Sequence, residues 1–540
     1  MNVTRVLLLG CLGVLGGCSE TADTVPEPDA AGDPVANPAA QAGSATGART
    51  LKPADGIDWF EGSVDEAFAT AKAQGKPLYL YWGAVWCPPC HAIRETVFST
   101  PEFRERSKLF IPVYLDGDTE NAQRYGERFD VMGYPTMIVF DADGQEITRI
   151  PNGIDMLAYA NVLDLTLGNA KSASTLVETV MADTAALSGT DCSMLAYHAW
   201  GQDTSIAEDN DRSQVMRRIY DACPADLGNE RTLLYVAWLE TLLQAAETPA
   251  DVELDAERRR EAVVFLESVL ADPERSKAAL VSLIYSGADM TAALTETRSP
   301  ERESLIRAFL AAYERFAADE SVYKRERIYT LRGRLAFERI DEPDAPPSPE
   351  LRAAIIDMVE WADTSTPGVH QRQPIINALG NLLDDAGMDE IARPLLLAEL
   401  EKSGQPYYYM PDLAGIEQRA GNIEAAVEWL RKGYEASKGP ATRFQWGYYY
   451  LNGLLEMTPD DAALIHDTTV RMIDELQQGG GLYHRPRRQL QRLEAELIAW
   501  ADTIDGDAAL SRIRESVMRV CAVDASAESR AVCEAFLESV

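Results

Sequence analysis

Two patterns of apolar and polar positions divide the chain. Between Ile57 and Gly168, short apolar runs alternate with helix-like stretches. Leu78-Tyr79-Leu80-Tyr81-Trp82, Phe110-Ile111-Pro112-Val113-Tyr114-Leu115 and Met137-Ile138-Val139-Phe140 read as strands. Ser63 is placed to cap a helix over 64–71, with Glu66 at the capping-box position and Gly75 to end it. The run His91 to Phe98 reads as helix, as does Glu120 to Phe129. Asp141-Ala142-Asp143-Gly144 is a hairpin turn before a returning strand, Glu146 to Ile150. A last helix covers about Ile154 to Leu167. After the leading helix, the order β-α-β-α-β-β-α predicts a mixed sheet with helices on both faces, an α/β domain over 57–170.

From Lys171 to Val540 the pattern changes. Apolar residues recur at three and four, as in Leu233, Leu234, Ala237, Trp238 and Leu242, and no convincing strand interrupts them. This predicts a large all-α region. Ala386-Gly387-Met388-Asp389-Glu390-Ile391-Ala392 returns 34 residues later as Ala420-Gly421-Asn422-Ile423-Glu424-Ala425-Ala426. That period resembles the tetratricopeptide repeat. Residues 351–540 are therefore expected to be tetratricopeptide-like helical repeats. Residues 171–350 show no period and are expected only to be helical.

The first 56 residues belong to neither pattern. Arg5 precedes an apolar run, Val6 to Leu15, too short to span a bilayer. It ends in Leu15-Gly16-Gly17-Cys18, which resembles a bacterial lipoprotein signal over residues 1–17, with Cys18 lipidated. A plain secretory signal is the alternative. Ser19 rather than Asp after the cysteine resembles outer-membrane sorting. The expected location is the bacterial cell envelope, lipid-anchored and facing the periplasm. Residues 18–56 are Ala, Pro, Asp, Gly, Thr and Ser with almost no large apolar side chain, so they predict a disordered tether. Its coil-like reach is on the order of 35 Å.

Charge narrows the partners. Acidic residues outnumber basic ones 86 to 50, a net charge of −36. Such a surface repels phosphates, which argues against nucleic acid and leaves the lipid anchor as the contact with membrane. The eight cysteines include two near-neighbour pairs, Cys192 with Cys223 and Cys521 with Cys533. In an oxidising compartment these are expected structural disulfides, buried free thiols being the alternative.

The chemistry centres on Trp86-Cys87-Pro88-Pro89-Cys90-His91. The cysteines lie where a strand gives way to a helix, the setting a redox C-x-x-C requires. A free thiol titrates near ~8.5, and one at a helix N-terminus falls to roughly 3.5–7.5. Cys87 precedes the helix, and Pro88 suits its first turn. Pro89 removes a further donor, leaving the Cys90 N–H to face the Cys87 sulfur. Cys90, one turn on, resolves the mixed disulfide. Structural zinc needs four ligands, usually in pairs. No second C-x-x-C exists and His91, His198, His370, His466 and His484 are scattered, so neither metal nor cofactor is expected.

These residues resemble the thioredoxin family, and within it the periplasmic, membrane-anchored thiol–disulfide reductases. The likeness runs from about Ile57 to Gly168. It rests on Trp86 before the first cysteine, the spacing to Tyr134-Pro135-Thr136, the closing hairpin and helix, Lys76-Pro77 and Thr96-Val97-Phe98. It implies a thioredoxin fold in which Cys87, Cys90 and a cis-Pro135 act on disulfides. It also implies that Trp86, Tyr134 and Thr136 contact substrate. The family's buried Asp is replaced by Tyr81, so proton movement would fall to water, Glu95 or His91, and His91 is expected to add positive charge at mildly acid pH. The partners implied are client proteins with disulfides and an upstream thiol electron donor, with the helical body recruiting a partner. A helical-repeat scaffold whose head is an adaptor, and a disulfide isomerase, are the alternatives. Tyr407-Tyr408-Tyr409 and Tyr448-Tyr449-Tyr450 fit either a peptide groove or packing between helices.

Overall fold

The computed structural model describes residues 56–168, 171–182, 187–203, 206, 212–478, 484–504, 506–521 and 535–536. The signal, Cys18, nearly all of the tether, Cys533 and the side chain of Cys521 lie outside the described residues.

The head is an α/β domain. Helix α1 (Val64–Gln74) starts at Ser63, whose Oγ accepts from the Glu66 N–H while the Glu66 carboxylate accepts from the Ser63 N–H, and Gly75 closes it at φ 62°. Strand β1 (Leu78–Gly83) is central in a four-stranded sheet of order β2-β1-β3-β4, with β2 (Ile111–Asp116) parallel to it and β3 (Thr136–Phe140) antiparallel. Strand β4 (Glu146–Ile150) returns from β3 through the Asp141 turn, where Asp141 Oδ1 accepts from the Asp143 and Gln145 N–H groups and Gly144 takes φ 90°.

Alternation along β1 explains why it reads as an unbroken apolar run. Leu78, Leu80 and Trp82 pack with α1 and α4 (Glu120–Arg128) on one face. Tyr79 and Tyr81 pack on the other, under α2 (Pro88–Ile93), α3 (Pro101–Ser107) and α5 (Met156–Leu167). Helix α3 is unforeseen, although Thr100 caps it and Pro101 opens it. Between α2 and α3 the chain makes a π-turn over Arg94–Phe98, with the Ser99 N–H donating to the Arg94 carbonyl.

From Ala173 onward the described residues are helical, apart from connecting turns. The 34-residue echo marks two equivalent turns. Helix Val369–Asp385 meets Asp389–Lys402 through Gly387 at φ 64°, and helix Met410–Arg419 meets Ile423–Ala436 through Gly421 at φ 78°. The Met388 N–H donates to Leu383 O, and the Asn422 N–H to Glu417 O, the same helix-ending bond in both copies.

Head and body share one continuous apolar core. The segment beyond α5 also seals the sheet edge: the Ala199 N–H donates to Arg149 O in β4, and buried His198 Nδ1 pairs with Thr148 Oγ1 at 3.0 Å. The buried Arg149 guanidinium donates to Gln202 O and Phe129 O. Cys192 and Cys223 are disulfide-bonded, 31 residues apart. Replacing both with alanine should lower unfolding stability by about 3–4 kcal/mol if loop entropy governs, read as a lower denaturant midpoint.

Candidate active site

Strand β1 ends at Gly83, and α2 begins at Pro88, after the short connection 84–87. Cys87 is the N-cap of α2, and the Cys90 N–H donates to its sulfur at 3.2 Å. The two cysteines are disulfide-bonded, with Cα atoms 5.2 Å apart. They form a small apolar cluster with Ala84, flanked by Trp86 and Tyr134. The Tyr134–Pro135 peptide is cis, and Pro135 O accepts from Asn152 Nδ2 and Gln202 Nε2. Buried Thr136 donates to Gly133 O, and the half-buried Tyr134 hydroxyl accepts from Gln123 Nε2.

Residues 64–165 match the family model described as a thioredoxin-like domain. This segment is a thioredoxin-like domain. It is similar to part of the thiol:disulfide interchange protein DsbD of Cronobacter sakazakii, 37% identical over 99 residues, 18% of this chain and 17% of that protein. The same protein of Yersinia pestis is 34% identical over 100 residues, again 18% and 17% of the two chains. DsbD 1 of Pseudomonas aeruginosa is 31% identical over 104 residues, 18% of each. The chain thus spans about a sixth of the length of the curated relatives it matches.

The thioredoxin-like domain carries Tyr81 on β1, the strand that leads to its redox pair. Tyr81 is 1% exposed, stacked on Tyr114 and edge-on to Phe98, and burial drives its phenol far above the ordinary range. It stays protonated and cannot act as a base at neutral pH. Glu95 is engaged by the helical body, accepting from Tyr323 Oη and Gln371 Nε2.

His91 departs from expectation. Its Nε2 faces Val85 O at 2.8 Å, so that nitrogen carries a proton and donates. Burial, with His370 stacked 5.6 Å away and Arg94 nearby, lowers its pKa to about 4. The ring is therefore neutral at mildly acid pH and adds no positive charge there. An ordinary histidine titrates near ~6.5, so the folded state loses stability as pH falls from about 6.5 towards about 4. The loss should be about 2 kcal/mol after allowance for partial exposure, and His91→Gln should flatten that part of the stability–pH curve in denaturant titrations.

The unforeseen feature is the roof over the thioredoxin-like domain. Cys87 is 2% exposed and Cys90 6%. Trp86, expected to contact substrate, is half-buried: its Nε1 donates to Thr442 Oγ1 at 2.6 Å, and its carbonyl accepts from Gln373 Nε2. Its ring lies against Tyr408 and Trp446. Asp118, just after β2, accepts from both the N–H and the hydroxyl of Thr442. Tyr407, Tyr408 and Tyr409 are buried, so this triplet packs between helices, with Tyr408 against Trp86. No grouping that could hold a metal occurs among the described residues.

Proposed function

We propose that the chain is a thiol–disulfide oxidoreductase that reduces disulfides of client proteins through Cys87 and Cys90. The observation that carries this is Cys87 at a helix N-cap, its sulfur facing the Cys90 N–H, beside a cis Tyr134–Pro135 in a thioredoxin-like domain. With Pro88 and Pro89 carrying no N–H, the Cys90 N–H is the donor in the first turn of α2 that favours a thiolate at Cys87. That thiolate attacks one client sulfur. A Cys87–client disulfide forms, the client S–S bond breaks, and the departing thiolate takes a proton. Cys90, one turn along, then attacks Cys87 Sγ. The second client thiol leaves, and the Cys87–Cys90 disulfide carries the two oxidising equivalents. An upstream dithiol donor reverses these steps at the head. With Tyr81 locked as a phenol, the proton on Cys90 passes to water or to the departing client sulfur.

Placement in the bacterial envelope through lipid on Cys18 is supported by the N-terminal sequence. No helix among the described residues is long and apolar enough to cross a membrane. The tetratricopeptide-like reading of the body is supported by the two equivalent turns at Gly387 and Gly421. Its contacts with its own head weigh against a scaffold on which the head is only an adaptor.

The direction of electron flow is tested by equilibrating the full chain with glutathione buffers and quantifying the Cys87–Cys90 disulfide. A reductant should have a potential nearer thioredoxin's, about −270 mV, than that of the oxidant DsbA, about −120 mV. A value close to the latter would make the protein an oxidant.

A further inference from the structure

We propose that the helical body is a closing cap that selects which disulfides and dithiols reach Cys87, with Gln373 and Thr442 as its latch and as specificity-determining residues. The inference rests on the oxidoreductase reading above and concerns access to the same site.

Thiol–disulfide exchange needs the incoming sulfur to approach along the S–S axis of the bond it breaks. Cys87, at 2% exposure, offers a protein partner no such path in this structure. What blocks it is part of the same chain. The first turn of helix Val369–Asp385 lies on α2, with Gln373 donating to Trp86 O and His370 stacked on His91. The 3₁₀ turn Pro406–Tyr409 brings Tyr408 against Trp86. The first turn of helix Pro440–Met457 places Thr442, 1% exposed, between Trp86 Nε1 and the Asp118 carboxylate. Three body elements thus converge, through residues near their N-terminal ends, on the residue that precedes Cys87.

Around Trp86 the contacts combine aromatic packing with hydrogen bonds. Gln373 donates to the Trp86 carbonyl, and Thr442 donates to Asp118 and accepts from Trp86. At the rim, His370 and Gln371 are exposed. The hydrogen bonds at Trp86 and Asp118 can part locally while the core that head and body share stays packed.

Redox state biases the cap. A disulfide is uncharged and tolerates the apolar cover of Trp86, Tyr408 and Trp446. A Cys87 thiolate under the same cover is a charge buried at 2% exposure, and the Asp118 carboxylate is held on the same Thr442 hydroxyl that accepts from Trp86. Reduction by a dithiol donor cleaves Cys87–Cys90, oxidises the donor to its disulfide and leaves a thiolate and a thiol, and so favours the lifted cap. By reciprocity, loosening the latch favours reduction.

The test compares two reductants on the oxidised full chain: dithiothreitol, and reduced thioredoxin as a bulky protein dithiol. In Gln373→Ala/Thr442→Val the thioredoxin rate should rise at least about tenfold, and the dithiothreitol rate by no more than about threefold, against wild type. The equilibrium with glutathione should shift towards the dithiol. An equal change in both rates, or none, overturns the cap. Should the double variant fail to fold, hydrogen exchange of the wild type decides. Amides of 440–446 should exchange faster in the reduced than in the oxidised protein, and equal protection overturns the proposal. Failure of insulin reduction and mixed-disulfide trapping sinks the oxidoreductase reading. An unchanged rate ratio with those assays positive sinks only the cap.

Discussion

Cys90→Ser should turn a fleeting intermediate into a recoverable adduct. Once Cys87 has attacked a client, only the sulfur one turn along α2 is placed to release it, and serine oxygen cannot displace a thiolate. Expressed in a bacterium that exports it, Cys90→Ser should run on non-reducing gels as a ladder of client adducts that collapses with reductant. Cys87→Ser should give none, because Cys90 lies inside α2, whereas Cys87 is the N-cap residue whose sulfur faces a helix N–H. Multiple-turnover insulin reduction should fall to background in both. Equal trapping by both variants would mean that the attacking sulfur is misassigned.

Arg372→Met should be among the most destabilising single changes in the body. The Arg372 guanidinium is buried, with Nε and Nη2 on Glu399 at 2.9 and 2.7 Å, Nη2 on Asp363 at 2.5 Å and Nη1 on Thr366 O at 3.0 Å. Glu399 is 1% exposed. Removing the cation strands that carboxylate, which costs roughly 3–5 kcal/mol. Denaturant unfolding should show the loss. Arg372→Met/Glu399→Leu should recover much of it, because the buried carboxylate is gone and Asp363, 35% exposed, stays solvated. Arg372 adjoins Gln373, so this buried pair also fixes the helix turn that reaches Trp86.

What could be read without the structure is what local rules encode. The Ser63–Glu66 box, the Asp141 turn and the apolar runs of the sheet each depend on residues a few positions apart. The C-x-x-C setting is equally local: strand, cysteine, prolines, helix. Helix α3 shows that a local signal can be overlooked, since Thr100-Pro101-Glu102 is a helix start. The roof is a different matter. Trp86 and Thr442 are separated by 356 positions, and Trp86 and Gln373 by 287. No periodicity or capping rule links such residues. The tyrosine triplet could be read only as groove or packing, because nothing in it says what it packs on. His91 failed for the same reason: its neutrality comes from burial beside His370, which the linear sequence does not juxtapose.

The central claim is that the Cys87–Cys90 couple relays electrons to client disulfides, and insulin reduction in excess dithiothreitol by the full chain tests it most directly. The wild type should speed precipitation of the insulin B chain well beyond dithiothreitol alone, and Cys87→Ser should remove all of that gain. A wild type no faster than dithiothreitol, or a Cys87→Ser variant that keeps the gain, would contradict the account.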